Sequence, residues 1–304
     1  MSPLRLSAAL ALTLSLATAA LAACGARPAT GPYRRLSIVA STDVYGDIAR
    51  EIGGSAVDVR SLISSPNQDP HAYEANGHDE LAIAKADVVI KNGGGYDDFM
   101  DTLLASAGSK APTLDAVQLS GKSAASGGQL NEHVFYDFAT VRKLVARLVT
   151  TLSAADPSYR SAFARNGVVF TAELSALERT EALIRRQSRG TGVLVTEPVP
   201  LYLLSACGLR NRTPAPFSAA VEAGTGVPPS VLRRTLGLLA ARSVKLLVYN
   251  EQTAGPETHQ VIAAARSHAI PIVGVTETLP PGRTYVAWMT RNLAAVRAAL
   301  STTV

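Results

Sequence analysis

The sequence predicts an α/β protein of two lobes, each a parallel-type sheet covered by helices, with one long helix joining them. Three observations carry this. Apolar runs of strand length alternate with helical patterns in both halves, which favours parallel sheets with covering helices. Between them lies a stretch of about 30 residues, residues 157–189, that holds no strand signal and no breaker except Gly167. At 304 residues with 47% hydrophobic and 17% charged side chains, the chain can bury one large or two medium cores. That composition excludes a disordered, collagen-like or coiled-coil chain.

The first lobe, residues 36–155, opens with a strand at 36–40 and a helix at 43–52 that Gly53-Gly54 terminates. A second strand follows at 57–63, a helix at 79–85, a third strand at 87–91, a helix at 96–107 and a short strand at 113–117. Residues 118–130 are rich in Ser, Gly and Ala and read as a loop. The run 138–152 is helical, and Pro157 stands where its fixed φ and missing donor suit the first turn of the linking helix, residues 156–189. A helix of about 30 residues spans roughly 45 Å. The second lobe, residues 190–304, repeats the alternation: strand 192–196, helices 199–206 and 230–242, strand 244–249, helix 257–268, strand 271–275 and helix 285–300.

The N-terminus sets the compartment. Residues 1–23 carry Arg5, then an uncharged Leu/Ala/Thr/Ser run, then Leu21-Ala22-Ala23-Cys24, which is the layout of a signal peptide. The run approaches the length of a membrane span, but small residues crowd its end and no basic stop-transfer cluster follows. Leu21-Ala22-Ala23-Cys24 resembles the lipobox of bacterial lipoproteins, which implies cleavage before Cys24, lipid on its thiol, and a tether over residues 24–35. Of the two cysteines, that leaves Cys207, which reads as a small buried hydrophobe. The net charge of +5 is modest, and the basic clusters at Arg185-Arg186 and Arg233-Arg234 lie on helical stretches, so nucleic acid is not a partner.

Open α/β sheets bind ligands beyond the carboxyl ends of their strands. His71 in Asp69-Pro70-His71 follows the second strand, and His133 lies in the loop after the fourth. Glu197 ends the first strand of the second lobe, and Glu277 follows the strand at 271–275. Two imidazoles and two carboxylates suit a divalent transition metal, although their spacing forms no chelate motif. Gly93-Gly94-Gly95 lacks phosphate-loop spacing and reads as a turn, and His78, His259 and His268 read as solvated.

From about Leu36 to Leu300 the chain resembles the metal-binding lipoproteins of zinc and manganese ABC importers, the cluster A-I solute-binding proteins. The resemblance is carried by Ser37 through Ala49 with Glu51-Ile52-Gly53-Gly54, by Asp69-Pro70-His71-Ala72-Tyr73-Glu74, by Ala84-Lys85-Ala86-Asp87 with Asn92-Gly93, and by Asn131-Glu132-His133-Val134-Phe135. It implies a metal site in the cleft between the lobes with His71, His133, Glu197 and Glu277 as ligands. Glu74 and Asn131 are candidates to hydrogen-bond those imidazoles from behind, and each fits a capping role equally well. Many zinc-type members have His where Glu197 stands, manganese-type members have Glu there, and the fourth ligand is usually Asp where this chain has Glu277. The His-rich loop of many zinc members has no counterpart before His133. The implied protein is a monomeric receptor, lipid-anchored at the outer face of the bacterial cytoplasmic membrane. It carries one Zn2+ or Mn2+ as cargo to an ABC permease and its ATPase, and it is not an enzyme. Two rivals are a metal-dependent hydrolase, which no HExxH or nucleophile-elbow motif supports, and a surface adhesin of the same family.

Overall fold

A computed structural model describes residues 34–124 and 129–301. The leader, Cys24 and most of the tether, together with residues 125–128 of the Ser/Gly/Ala loop, lie outside the described residues. β1 (Leu36–Thr42), β2 (Val57–Ile63), β3 (Val88–Lys91) and β4 (Thr113–Asp115) form one sheet in the order β2-β1-β3-β4. β5 (Gly192–Val195), β6 (Arg210–Asn211), β7 (Leu247–Asn250) and β8 (Ile272–Val275) form the other, in the equivalent order β6-β5-β7-β8. Every pairing is parallel. The order reverses between β1 and β3 and again between β5 and β7, and a crevice outside the carboxyl ends is expected at such switch points. Glu197 and Asn250 stand at the second of them.

The first sheet is covered by α1 (Asp43–Gly53), α2 (Gly77–Lys85), α3 (Phe99–Ser106), α4 (Ala116–Ser120) and α5 (Phe138–Ala155). Asn76 and Asp79 close α2 with a capping box, and Asp137 caps α5 by accepting from the Thr140 N–H. Around the second sheet lie α7 (Leu201–Ala206), α8 (Ala215–Glu222), α9 (Pro229–Ala240), α10 (Pro256–Ser267) and α11 (Tyr285–Ser301). α6 (Arg160–Ser188) is the long helix, 29 residues entered through a 3-10 turn at Pro157–Tyr159. Its buried positions Phe163, Gly167, Phe170, Leu174, Leu177, Glu181 and Ile184 recur every three or four residues, which makes one continuous stripe. Gly167 does not break the helix. It lets α5 approach, since a Cβ there would stand 2.7 Å from Val149 Cγ2.

One apolar cluster runs from Ile38 and Tyr45 in the first lobe through Phe163 and Phe170 of α6 to Val195, Trp288 and Leu293 in the second. Each of these fully buried side chains contributes about 1.5–3 kcal/mol. The aromatic wall of Phe135, Tyr136 and Trp288, with ring centroids 5.3 to 6.3 Å apart, forms its centre beneath His133.

The differences from expectation are local. The loop expected at 118–130 begins as α4, because Asp115 accepts from the Gln118 N–H and Gly121 stops the turn with φ +70. β6 and α8 were not expected. β6 has only two residues, and α8 buries only Phe217, so neither leaves a periodic pattern.

Candidate metal site

His71 enters the cleft on the 3-10 turn Pro70–Ala72, which Asp69 starts by accepting from the His71 N–H at 2.9 Å. Its ring meets Tyr96 edge-on at 5.1 Å and lies 6.3 Å from the ring of His133. His133 is only 1% exposed. Its Nδ1 lies 2.8 Å from Asn131 Oδ1, an acceptor, which assigns the proton to Nδ1 and frees Nε2. That Nε2 faces Glu277 Oε2 at 3.4 Å. His71, His133 and Glu277 place ligand atoms all within 4.8 Å of one another.

The second lobe supplies its two carboxylates as a tied pair. The Asn250 side-chain amide donates to Glu197 Oε2 and to Glu277 Oε1, both at 2.7 Å. Thr253 donates its hydroxyl to the other oxygen of Glu197. Glu197 therefore stands one amide away from the three-residue group and lies outside it. Glu277 Oε2 is buried and accepts no hydrogen bond. Asn131, besides holding His133, donates to the Pro198 carbonyl at 3.0 Å, so it also positions the chain beside Glu197.

The electrostatics follow from burial. Burial pushes the Glu277 carboxyl up, but the His133 imidazole beside it outweighs that and holds it below the usual carboxylate range. Burial likewise pushes His133 down, and Glu277 reverses that, leaving the imidazole above its ordinary value. Glu197 is raised by burial, only partly offset by Thr253 and Asn250. The arrangement is an imidazole–carboxylate pair with a second imidazole beside it, a donor set that a divalent cation can complete in place of a proton.

Residues 38–299 match the family model described as the zinc-uptake complex component A, periplasmic (ZnuA). This chain belongs to that family. The manganese-binding lipoprotein MntA of Bacillus subtilis (strain 168) is 29% identical over 168 residues, which cover 54% of this chain and 55% of that one. The chain thus spans about half the length of the curated relatives it matches. Among solved structures, FpvC of Pseudomonas aeruginosa in complex with Ni2+ has a TM-score of 0.73 at 24% identity, covering 89% of this chain and 98% of that one. The periplasmic zinc-binding protein TroA of Treponema pallidum has a TM-score of 0.72 at 17% identity, covering 88% and 99%. Those two likenesses are of fold.

In this ZnuA-family chain not every residue singled out from the sequence reaches the cleft. Glu74 is exposed, and among the described residues no hydrogen bond joins it to either imidazole. The backbone after the turn is extended, and Tyr73 takes the inward position, packing on Phe99 at 4.7 Å and donating to Asp79 at 2.9 Å. Glu74 therefore points the other way. Cys207 is free and buried, its thiol pushed up to about 12 by burial.

Sequence reasoning missed Asn250, Thr253, Glu132 and Glu222. Asn250 had a signal, because it ends the apolar run 246–249 at a strand's carboxyl end, where the same rule that found Glu197 applies. Glu132 and Glu222 had none. They join His133 in a second group whose ligand atoms all lie within 4.8 Å of one another.

Proposed function

We propose that this protein is an extracytoplasmic receptor that captures one divalent transition metal, zinc or manganese, in the cleft between its lobes and delivers it to an ABC permease driven by an ATPase. The observation that supports it most is the convergence of His71, His133 and Glu277 from three separate segments onto one small volume. Glu197 completes the proposed ligand set from across the Asn250 amide. Two neutral imidazoles and two carboxylates balance a divalent charge, so the buried site need hold no net charge.

In this reading the chain is monomeric and performs no chemistry on its cargo. Cys24 carries the lipid that anchors it at the outer face of the cytoplasmic membrane, and residues 24–35 are the tether. Acyl anchoring that is stable takes more than one chain, which a diacylglyceryl group supplies.

Elemental analysis of protein purified from its native host, beside a hydrolase screen of the same sample, tests the reading. One zinc or manganese per chain without hydrolysis is expected. Metal-free protein that refuses both ions, or hydrolytic turnover that stops in His71→Ala, would sink it. For the anchor, the intact mass of the mature chain decides: Cys24→Ser should leave the membrane fraction, and an unmodified thiol at residue 24 would contradict the assignment.

A further inference from the structure

The second lobe keeps its two signs of charge at opposite ends. Residues 190–304 hold ten Lys and Arg against five Glu and no Asp. All five acids stand at the carboxyl end of the sheet: Glu197, Glu251 and Glu277 follow β5, β7 and β8, Glu257 lies in the first turn of α10, and Glu222 reaches His133. That leaves none of them for the amino end. The α6 acid closest in sequence, Glu181, is buried and forms no ion pair among the described residues.

At the amino end six cations gather around Gly192, the first residue of β5. Arg186 lies in the last turn of α6, and Arg189 is the residue that ends it. Arg210 stands opposite Gly192 in the strand register, and the Lys245 N–H donates to the Gly192 carbonyl at 2.9 Å. A Cβ on Gly192 would meet the Ser243 carbonyl at 2.8 Å and Arg212 Cγ at 3.1 Å, which brings in Arg212 and, beside Ser243, Arg242. All six residues are exposed.

Helix ends account for only part of this. α6, α7, α9 and α10 all finish at this end, and a helix C-terminus favours a nearby cation. Arg185 fills that role, donating to the carbonyls of Ala206 and Ser205 at the end of α7. Among the described residues, none of the six pairs with a carboxylate. Arg242 also occupies φ 50, a left-handed position after α9 that glycine adopts without strain. Like charges gathered this closely repel one another, and an anionic surface would relieve that repulsion.

We propose that this end of the second lobe docks on an anionic lipid surface, with its Arg and Lys side chains meeting the headgroup phosphates. A protein partner would need apolar or aromatic anchors. Among the described residues the exposed large hydrophobics are Leu81, Val168 and Val169, which lie on α2 and the first half of α6 rather than here. Lipid headgroups need only charge, because each Lys or Arg near an anionic leaflet adds attraction without a pocket. The choice of lipid over another polyanion rests on the membrane-anchored reading given above, while the patch depends neither on the anchor nor on what the cleft binds. Docked in this way, the lobe turns Glu197 and Glu277, at the other end of its sheet, away from the bilayer.

The test mixes the full chain with vesicles of phosphatidylcholine alone, or of equal parts phosphatidylcholine and phosphatidylglycerol. Bound protein is read by flotation, and contact by the acylation rate of Lys245 relative to Lys85 and Lys110, which are exposed on the first lobe. Wild type should prefer the phosphatidylglycerol vesicles, lose that preference at high salt, and show Lys245 slowed on them. The triple variant Arg189→Gln, Arg210→Gln, Arg212→Gln should lose roughly a hundredfold of the preference. Lys at the same three positions should keep it, because a headgroup surface reads charge rather than bidentate geometry. Equal binding of wild type to both vesicles, or Lys245 reacting alike on both, overturns the docking even where the triple variant does not fold. Binding that is equal and insensitive to salt does so while leaving the Cys24 anchor standing. Inorganic phosphate that releases the protein at concentrations too low to screen charge would assign the patch to a free anion and overturn it as well.

Discussion

The carboxylate of Asp43, the first residue of α1, accepts a hydrogen bond from the backbone N–H of Leu279 at 3.1 Å, two residues beyond Glu277. One turn further along α1, Asp47 accepts from the N–H of Tyr285, the first residue of α11, at 2.7 Å. The segment between Glu277 and α11 is thus held at both ends by one helix of the opposite lobe. Asp43→Ala should strand a partly buried N–H, lowering stability by about 1–3 kcal/mol, and should weaken cation binding by letting Glu277 move. Asp43→Asn, which keeps an acceptor, should recover most of both. Calorimetric titration and thermal melting of the two variants check this, and equal cation affinity in wild type and Asp43→Ala would refute the positional link.

Single alanine substitutions at His71, His133, Glu197 and Glu277 should each weaken cation binding. Glu277→Ala should also lower stability, because His133 loses the carboxylate facing it at 3.4 Å. Intrinsic affinity follows the Irving–Williams order, so zinc should bind more tightly than manganese in vitro, whichever ion the proposed receptor delivers. Competition on apo protein decides it, with manganese displacing equimolar zinc as the contrary result.

Cation binding should produce little rotation of the lobes. α6 is a continuous helix of 29 residues packed against α1, α5, α7 and α11, and a stiff connector of that kind restricts hinge closure. The expected response is local, in residues 129–132 beside His133. Small-angle scattering of apo and loaded protein should overlay, and a large change in radius of gyration would contradict the prediction.

Glu181 on α6 gives stability a pH dependence. Burial pushes its carboxyl up to about 8, with Glu178 and Asp137 adding to the shift and Arg185 opposing it. A carboxyl raised in the folded state favours folding fully below its unfolded value of about 4.5, and that contribution is lost as pH rises through about 8. Glu181→Gln, which stays neutral, should therefore melt a few degrees higher than wild type at pH 9, on the order of 1–3 kcal/mol. The two should converge below pH 4.5. Melting curves that keep a constant gap across that range would show that ionisation of Glu181 is not responsible.

The alternation of strands and helices was legible because buried parallel strands read as short apolar runs, such as residues 88–90 and 246–248, that need no partner to be recognised. His71, Glu197 and Glu277 were legible by the strand-end rule, and His133 by its loop position. Glu222 was not, since it stands at the end of a helix with a single buried side chain, whose own sequence carries almost no periodicity. Glu132 stands in the sequence only as a neighbour of His133 in the stretch Asn131 to Phe135. Its side chain acquires meaning from His71, 61 positions earlier in sequence and 3.7 Å away in space.

The single amide that Asn250 extends to both Glu197 and Glu277 constrains how this cleft can change over evolutionary time. A carboxylate has lone pairs enough to receive that N–H and still bind an ion. A neutral imidazole has one acceptor nitrogen, so a histidine arising at position 197 would have to choose between Asn250 and a cation. Replacement of the carboxylate there is therefore a two-residue event, in which position 250 must surrender its donor first or together with the swap. Until then the present pair of acids is locked in, and mutational drift at either one meets resistance from the Asn250 amide that ties them.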